Sequence, residues 1–137
     1  MSKVVQISDA EWFVMEVLWR MQSAAAADVI DELADARDWN HRTVRTLLTR
    51  LVGKGALEAR TAGHRYIYRP AVSREKCVRI ESRSFLYKVF AGDAAELLLH
   101  FARHSKITPA QFKQLRQLLD ERQSEGDSSG ARKGLQQ

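Results

Sequence analysis

Residues 39–69, WNHRTVRTLLTRLVGKGALEARTAGHRYIYR, change their apolar period from helix-like to strand-like near Gly55, and that change limits the folds open to the chain. On a helical projection Val44, Leu47, Leu48, Leu51 and Val52 share one side, while Arg42, Thr46, Thr49 and Gly53 point the opposite way, flanked by Arg45 and Arg50. Asn40 is a good N-cap for this helix, and Gly55 can take the left-handed conformation that ends it. After Gly55, residues 57–60 and 65–69 alternate as short strands around Ala62-Gly63-His64. Arg60, His64, Arg65 and Arg69 give this hairpin a cationic rim. Ile67 and one or both of Tyr66 and Tyr68 are expected to pack on the helices.

Two helices are expected upstream. Ser8, Asp9, Ala10 and Glu11 form a capping box, with Ile7 and Trp12 placed as a hydrophobic staple, which predicts a helix from residue 9 to about residue 21. Its apolar positions Trp12, Val14, Met15, Leu18 and Trp19 supply core surface. AAAADVIDELADAR then reads as a second helix, with Val29, Ile30 and Leu33 inward and Asp28, Asp31, Glu32 and Asp35 outward. Helix, helix, helix and hairpin in that order make residues 1–70 a winged helix-turn-helix domain, closed by Pro70.

The remainder reads as helical. Ser73 can cap a fourth helix over about residues 74–91, which Gly92 terminates, and Asp93 can cap a fifth through residue 103. Thr108 with Pro109 announces a sixth that carries Phe112, Leu115, Leu118 and Leu119. Three short helices make a poor independent core. Residues 71–123 are therefore expected to be a dimerisation region in which Phe85, Leu86, Val89, Phe90, Leu97, Leu98, Phe101, Phe112 and Leu115 close against a second copy. Residues 124–137, SEGDSSGARKGLQQ, have the composition of a disordered tail. The fold class is thus mainly α: three helices plus a β-hairpin, followed by a three-helix dimerisation region.

Charge is unevenly distributed. Residues 1–36 hold 2 basic and 7 acidic side chains, residues 37–69 hold 8 and 2, and residues 70–137 hold 12 and 8, so the middle window is +6 between −5 and +4. A basic excess confined to one supersecondary unit argues for a polyanion docking there, because neutralising phosphates releases counterions. Arginine matches guanine bidentately and a threonine methyl can touch a thymine methyl, so the outward helical stripe suits double-stranded DNA. A membrane surface fits less well, since the apolar side of the helix reads as aliphatic core without exposed Trp or Phe.

Cys77 is the one cysteine of the sequence, which leaves neither a disulfide within the chain nor a Cys-rich zinc site. The N-terminal residues lack the apolar run of a signal peptide, and no stretch reaches the ~18 apolar residues of a membrane span, so a cytoplasmic location is expected. No glycine-rich phosphate loop, GxSxG turn or isolated carboxylate pair suggests catalysis, and no cofactor is implied. Glu96, His100 and His104 recur at helical spacing and could hold a metal, but a third strong ligand or an HExxH pattern is missing, and no metal is assigned.

ISDAEWFVMEVLW in the first helix, DWNHRTVRTLLTRLVGKG in the third, and RSFLYKVFAGD followed by LLLHF further on resemble, in order and spacing, the penicillinase/methicillin-resistance repressor family over residues 5–122. The resemblance implies a dimeric winged-helix repressor of a β-lactam-resistance-type operon that reads a palindromic operator. It implies Arg45 and Thr46 near bases, and Arg42, Thr43, Thr49, Arg50 and Lys54 near phosphates, with Asn40 and His41 at the helix start beside them. It implies backbone contacts from Arg60, His64, Arg65 or Tyr66 of the wing. Family members respond to a membrane metalloprotease sensor system by cleavage at an Asn-Phe bond, and the corresponding pair here is His100-Phe101. The C-terminal cysteine cluster of a copper-sensing sister branch has no counterpart. AAAA also stands where a Ser or Thr cap would open the second helix. Two other readings are a winged-helix protein-interaction module and a metal- or ligand-sensing regulator using Glu96, His100 and His104.

Overall fold

The computed structural model describes residues 5–135. The chain forms two compact units, Met1–Ala91 and Gly92–Gln137.

The first unit opens with helix α1, Asp9–Met21. Ser8 and Glu11 close the expected capping box: Glu11 N–H donates to Ser8 Oγ at 3.2 Å and Ser8 N–H to Glu11 Oε1 at 2.8 Å. Val14, Met15 and Leu18 are fully buried. Trp12 and Trp19 are half-buried against this core, edge to face with centroids 5.4 Å apart.

The alanine run departs from the expected helix. Ala24–Ala25 form a short strand, β1, and α2 begins after it, at Ala26–Arg37. The cause is nonlocal, because these alanines pair with a strand more than forty residues away, which overrides their local helix preference. The missing Ser/Thr cap is replaced from within, as Asp28 Oδ2 accepts from Ala25 N–H at 3.1 Å. Val29 and Leu33 are buried and Ile30 half-buried, whereas Asp28, Asp31, Glu32 and Asp35 are exposed.

Helix α3, His41–Gly53, starts where Asn40 Oδ1 accepts from Thr43 N–H at 2.9 Å. Val44, Leu47, Leu48 and Leu51 are buried, so the apolar stripe is the core face. Its end is a Schellman motif: Gly55 has φ +82°, Ala56 N–H bonds to the Leu51 carbonyl at 2.9 Å, and Gly55 N–H to that of Val52 at 3.0 Å. Truncating a fully buried residue here, such as Leu48→Ala, removes transfer energy and leaves a cavity at a cost of about 2–5 kcal/mol.

Strands β2, Leu57–Ala62, and β3, Arg65–Pro70, then form the hairpin around Gly63-His64. Gly63, first of the two central residues, has φ +67°, the position type II′ turns reserve for glycine. Both strands pair antiparallel, and the sheet order is β1-β3-β2.

Helix α4, Arg74–Phe90, is capped by Ser73. The compact unit continues through it, so the division falls after Ala91 and not at Pro70. Cys77 is buried among the core residues, Trp19 Nε1 donates to the Val72 carbonyl at 3.0 Å, and Arg74 Nε donates to both carboxylate oxygens of Glu16 at 3.1 and 3.3 Å. The beginning of α4 therefore completes the winged-helix core.

The second unit holds α5, Ala94–His104, capped by Asp93, and α6, Pro109–Leu135. Thr108 and Gln111 cap α6 reciprocally at 3.0 and 3.1 Å. The helix runs on through residues 124–135, where composition suggests a disordered tail, since elongating a nucleated helix needs one further backbone bond per residue and no core. Residues 136–137 of that segment lie outside the described residues. No described helix is long and apolar enough to cross a membrane.

Candidate nucleic-acid interface

Burial of the leucine stripe turns His41, Arg42, Arg45, Thr46, Thr49 and Arg50 outward, and together these six line a shallow trough of about 410 Å³ along α3. Asn40 and Thr43 sit at its start as the cap pair. The register of the hairpin divides its side chains by face. Thr61 opposes Tyr66 and Ala59 opposes Tyr68 on one face, while Arg60 opposes Ile67 and Glu58 opposes Arg69 on the other. Tyr68 is the tyrosine that packs on the helices, joining the core cluster, whereas Tyr66 stays 58 % exposed.

The eight arginines from Arg20 to Arg69 fall into two groups. Arg20 pairs with Glu32 at 2.7 Å, Arg37 lies 3.7 Å over the Phe13 ring, and Arg69 pairs across the strands with Glu58 at 3.1 Å. Arg42, Arg45, Arg50, Arg60 and Arg65 hold no ion pair among the described residues. All five belong to α3 or the hairpin and are exposed. Arg69, the fourth member of the expected cationic rim, is neutralised by its partner. Uncompensated guanidinium groups on one surface create a positive potential that favours phosphate.

Where α3 approaches the hairpin there is a cleft of about 210 Å³, lined by Ala25, Ala26, Ala27, Arg45, His64, Arg65, Tyr66 and Tyr68. Ala25 is the N-cap of α2 and Ala26 and Ala27 begin its first turn, whose leading N–H groups have no backbone acceptor within their own helix and carry partial positive charge. Sequence reasoning missed this contribution. Alanines carry no side-chain signal for an anion site, and the place of the helix start depends on the β1 pairing.

Lys54 has a partner within the fold. Its Nζ lies 2.5 Å from Glu11 Oε1 and 2.9 Å from the Gln6 carbonyl, so its ammonium is bound to the start of α1. Glu11 is 2 % exposed and its Oε2 has no hydrogen-bond partner. Burial pushes the Glu11 pKa up, but hydrogen bonds from Lys54 and Ser8 outweigh it and hold the carboxyl below its ordinary value. Burial likewise pushes the Cys77 thiol up, which leaves it a poor nucleophile.

The remaining sequence-derived residues lie on helices α4 to α6. Phe85, Val89, Leu98, Phe101 and Phe112 are exposed, and Leu86, Phe90, Leu97 and Leu115 are half-buried. Tyr87, Leu99, Leu118 and Leu119 add exposed apolar surface that the expected dimer face did not include. His100 and Phe101 lie within α5, their rings 5.6 Å apart, and the His100 and His104 rings are 4.7 Å apart. Among the described residues no group of three His, Cys, Asp or Glu side chains could hold a metal ion, Glu96, His100 and His104 included.

Comparison with known proteins gives a consistent picture. The family model described as penicillinase repressor matches residues 7–121. The penicillinase repressor of Bacillus licheniformis is 34 % identical over 121 residues, covering 88 % of this chain and 94 % of the relative. The methicillin resistance regulatory protein MecI of Mammaliicoccus sciuri is 31 % identical, with 88 % and 98 % covered. The solution structure of the DNA-binding domain of the repressor BlaI is 39 % identical at a TM-score of 0.50, covering 56 % of this chain and 93 % of that domain.

Proposed function

This chain belongs to the penicillinase repressor family, and we propose that it is a sequence-specific transcriptional repressor that binds an inverted-repeat operator in double-stranded DNA as a homodimer. The family is one of repressors and not of enzymes. The observation that carries this reading is the set of five unpaired arginines on α3 and the hairpin, beside a helix N-terminus. In this reading α3 enters the major groove with Arg45 and Thr46 toward base edges, and Arg42, Thr43 and Arg50 toward phosphates. Arg60, His64, Arg65 and Tyr66 of the wing hold the adjacent backbone. The α2 N-terminus adds main-chain donors to a phosphate in the cleft.

Twinned subunits would place two such helices about 34 Å apart, one turn of DNA. The support for twinning is the exposed apolar side chains that α4, α5 and α6 each carry, among them Phe85, Leu98 and Phe112, which water disfavours. The relatives' names point to a β-lactam-resistance-type operon as the controlled locus. Release by a membrane metalloprotease sensor system, with cleavage at or near His100-Phe101, would require α5 to open.

The test is selection of bound duplexes from a randomised library, followed by titration of the recovered sequence against scrambled DNA. A palindromic consensus bound about 10³-fold or more above scrambled DNA is the expected result. Weak and fully salt-sensitive association with all sequences alike would overturn it in favour of an interaction module.

A further inference from the structure

The exposed face of α3 carries three threonines, and in each the hydroxyl proton is committed to the helix itself. Thr43 Oγ1 donates to Asn40 Oδ1 at 3.1 Å, Thr46 Oγ1 to the Arg42 carbonyl at 2.9 Å, and Thr49 Oγ1 to the Arg45 carbonyl at 3.0 Å. A threonine bonded back onto its own helix in this way no longer offers a donor to a partner. What it still offers is its γ-methyl and an acceptor lone pair. Donors on this face come instead from the arginines that flank the threonines.

The division matters for base reading. Guanine presents only acceptors in the major groove, so it calls for donors such as Arg45. Thymine is the base that presents an apolar group there, its 5-methyl. Thr46 and Thr49 lie in the trough among His41, Arg42, Arg45 and Arg50, whereas Thr43 stands at the cap outside it.

We infer that Thr46 and Thr49 are specificity-determining residues that read thymines through the 5-methyl group by methyl-to-methyl contact. This rests on the reading of the chain as a sequence-specific DNA-binding protein and names the base that two of its contacts select. Residues three apart on a helix are neighbours at ~5–6 Å, and base pairs stack at ~3.4 Å, so the two thymines lie one or two steps apart in each half-site.

The experiment uses the full chain and the duplex recovered by selection from a randomised library. Each thymine is replaced in turn by deoxyuridine, which pairs identically and lacks only the methyl. Wild-type protein should lose about fourfold in affinity at each of two positions per half-site, the effect of one buried methyl. Thr46→Ser should abolish the discrimination at one of these positions and Thr49→Ser at the other, each variant binding both duplexes at the weakened level. Thr46→Val, which keeps a methyl and loses the hydroxyl, should discriminate as wild type does. Both positions are exposed, and a thermal melt matching wild type shows that a variant is folded. Uracil substitutions without effect, serine variants that still discriminate, or a valine variant as impaired as the serine one would overturn the inference and leave the repressor reading standing. Selection that returns no consensus would overturn both.

Discussion

Lys54 Nζ lies 2.5 Å from Oε1 of Glu11, joining the C-cap of α3 to a carboxylate at the start of α1 that is 2 % exposed. The pair ties the proposed reading helix to the core, and the lysine acts on the fold before it acts on any ligand. Lys54→Met leaves a buried carboxylate without its cation. The expected cost is about 2–3 kcal/mol, below the ~3–5 of a wholly buried pair because the lysine is partly solvated. Urea unfolding measures it. A loss under about 0.5 kcal/mol, ordinary for a surface substitution, would show the pair to be unimportant.

The same carboxylate sets an acid limit. Its pKa lies below the ordinary 4.5 in the folded chain, since hydrogen bonds from Lys54 and Ser8 outweigh the effect of burial. A depressed carboxylate stabilises the fold above the unfolded-state value, and that contribution disappears as pH falls through the folded value. The stability difference between wild type and Glu11→Gln should therefore shrink below about pH 4.5 and approach a constant near neutrality. Equal differences at about pH 3 and pH 7 would contradict it.

Arginines with and without partners should behave differently toward DNA. Arg45→Ala should cost about 1–3 kcal/mol on the selected duplex and broaden base preference. Arg65→Ala should weaken all sequences alike and reduce the salt slope by about 1. Arg20→Ala, which removes a side chain already paired with Glu32, should leave binding unchanged. Fluorescence anisotropy across a salt series separates the three, and equal losses for Arg20 and Arg45 variants would remove the unpaired guanidinium groups as the basis of binding.

Self-association is expected to depend on α5 and α6. Phe101 is 40 % exposed and Phe112 53 % exposed. Placing a charge there, as in Phe101→Asp, should shift sedimentation from dimer to monomer at micromolar concentration while the winged-helix unit keeps its melting transition. Wild-type protein sedimenting as a monomer under these conditions would refute the dimer outright.

Much of this architecture was legible because its determinants are local. The Ser8–Glu11 box, the Asn40 cap, the leucine period of α3 and the Gly55 terminator each act within a few residues, and each element starts or stops where they direct. The outward Arg42, Arg45 and Arg50 followed from the same period. What escaped depends on partners distant in sequence. Ala24–Ala25 became a strand through Ile67 and Tyr68, Lys54 turned to Glu11, and Cys77 and Trp19 drew α4 into the first unit. A helix face can be read from spacing, but which of its cations are already occupied requires the folded neighbours.

The reach of β1 along the hairpin has a mechanical corollary. Its pairing stops at Ile67 and Tyr68, while β2 and β3 continue to Ala62 and Arg65. The hairpin is thus a beam clamped at its root and cantilevered beyond, a two-stranded ribbon, which twists more strongly than a wider sheet. A load applied at His64 or Arg65 deflects the free tip, while Tyr68, inside the clamped portion, holds still. In the proposed complex, the adjustment of the wing to the duplex therefore falls to this tip.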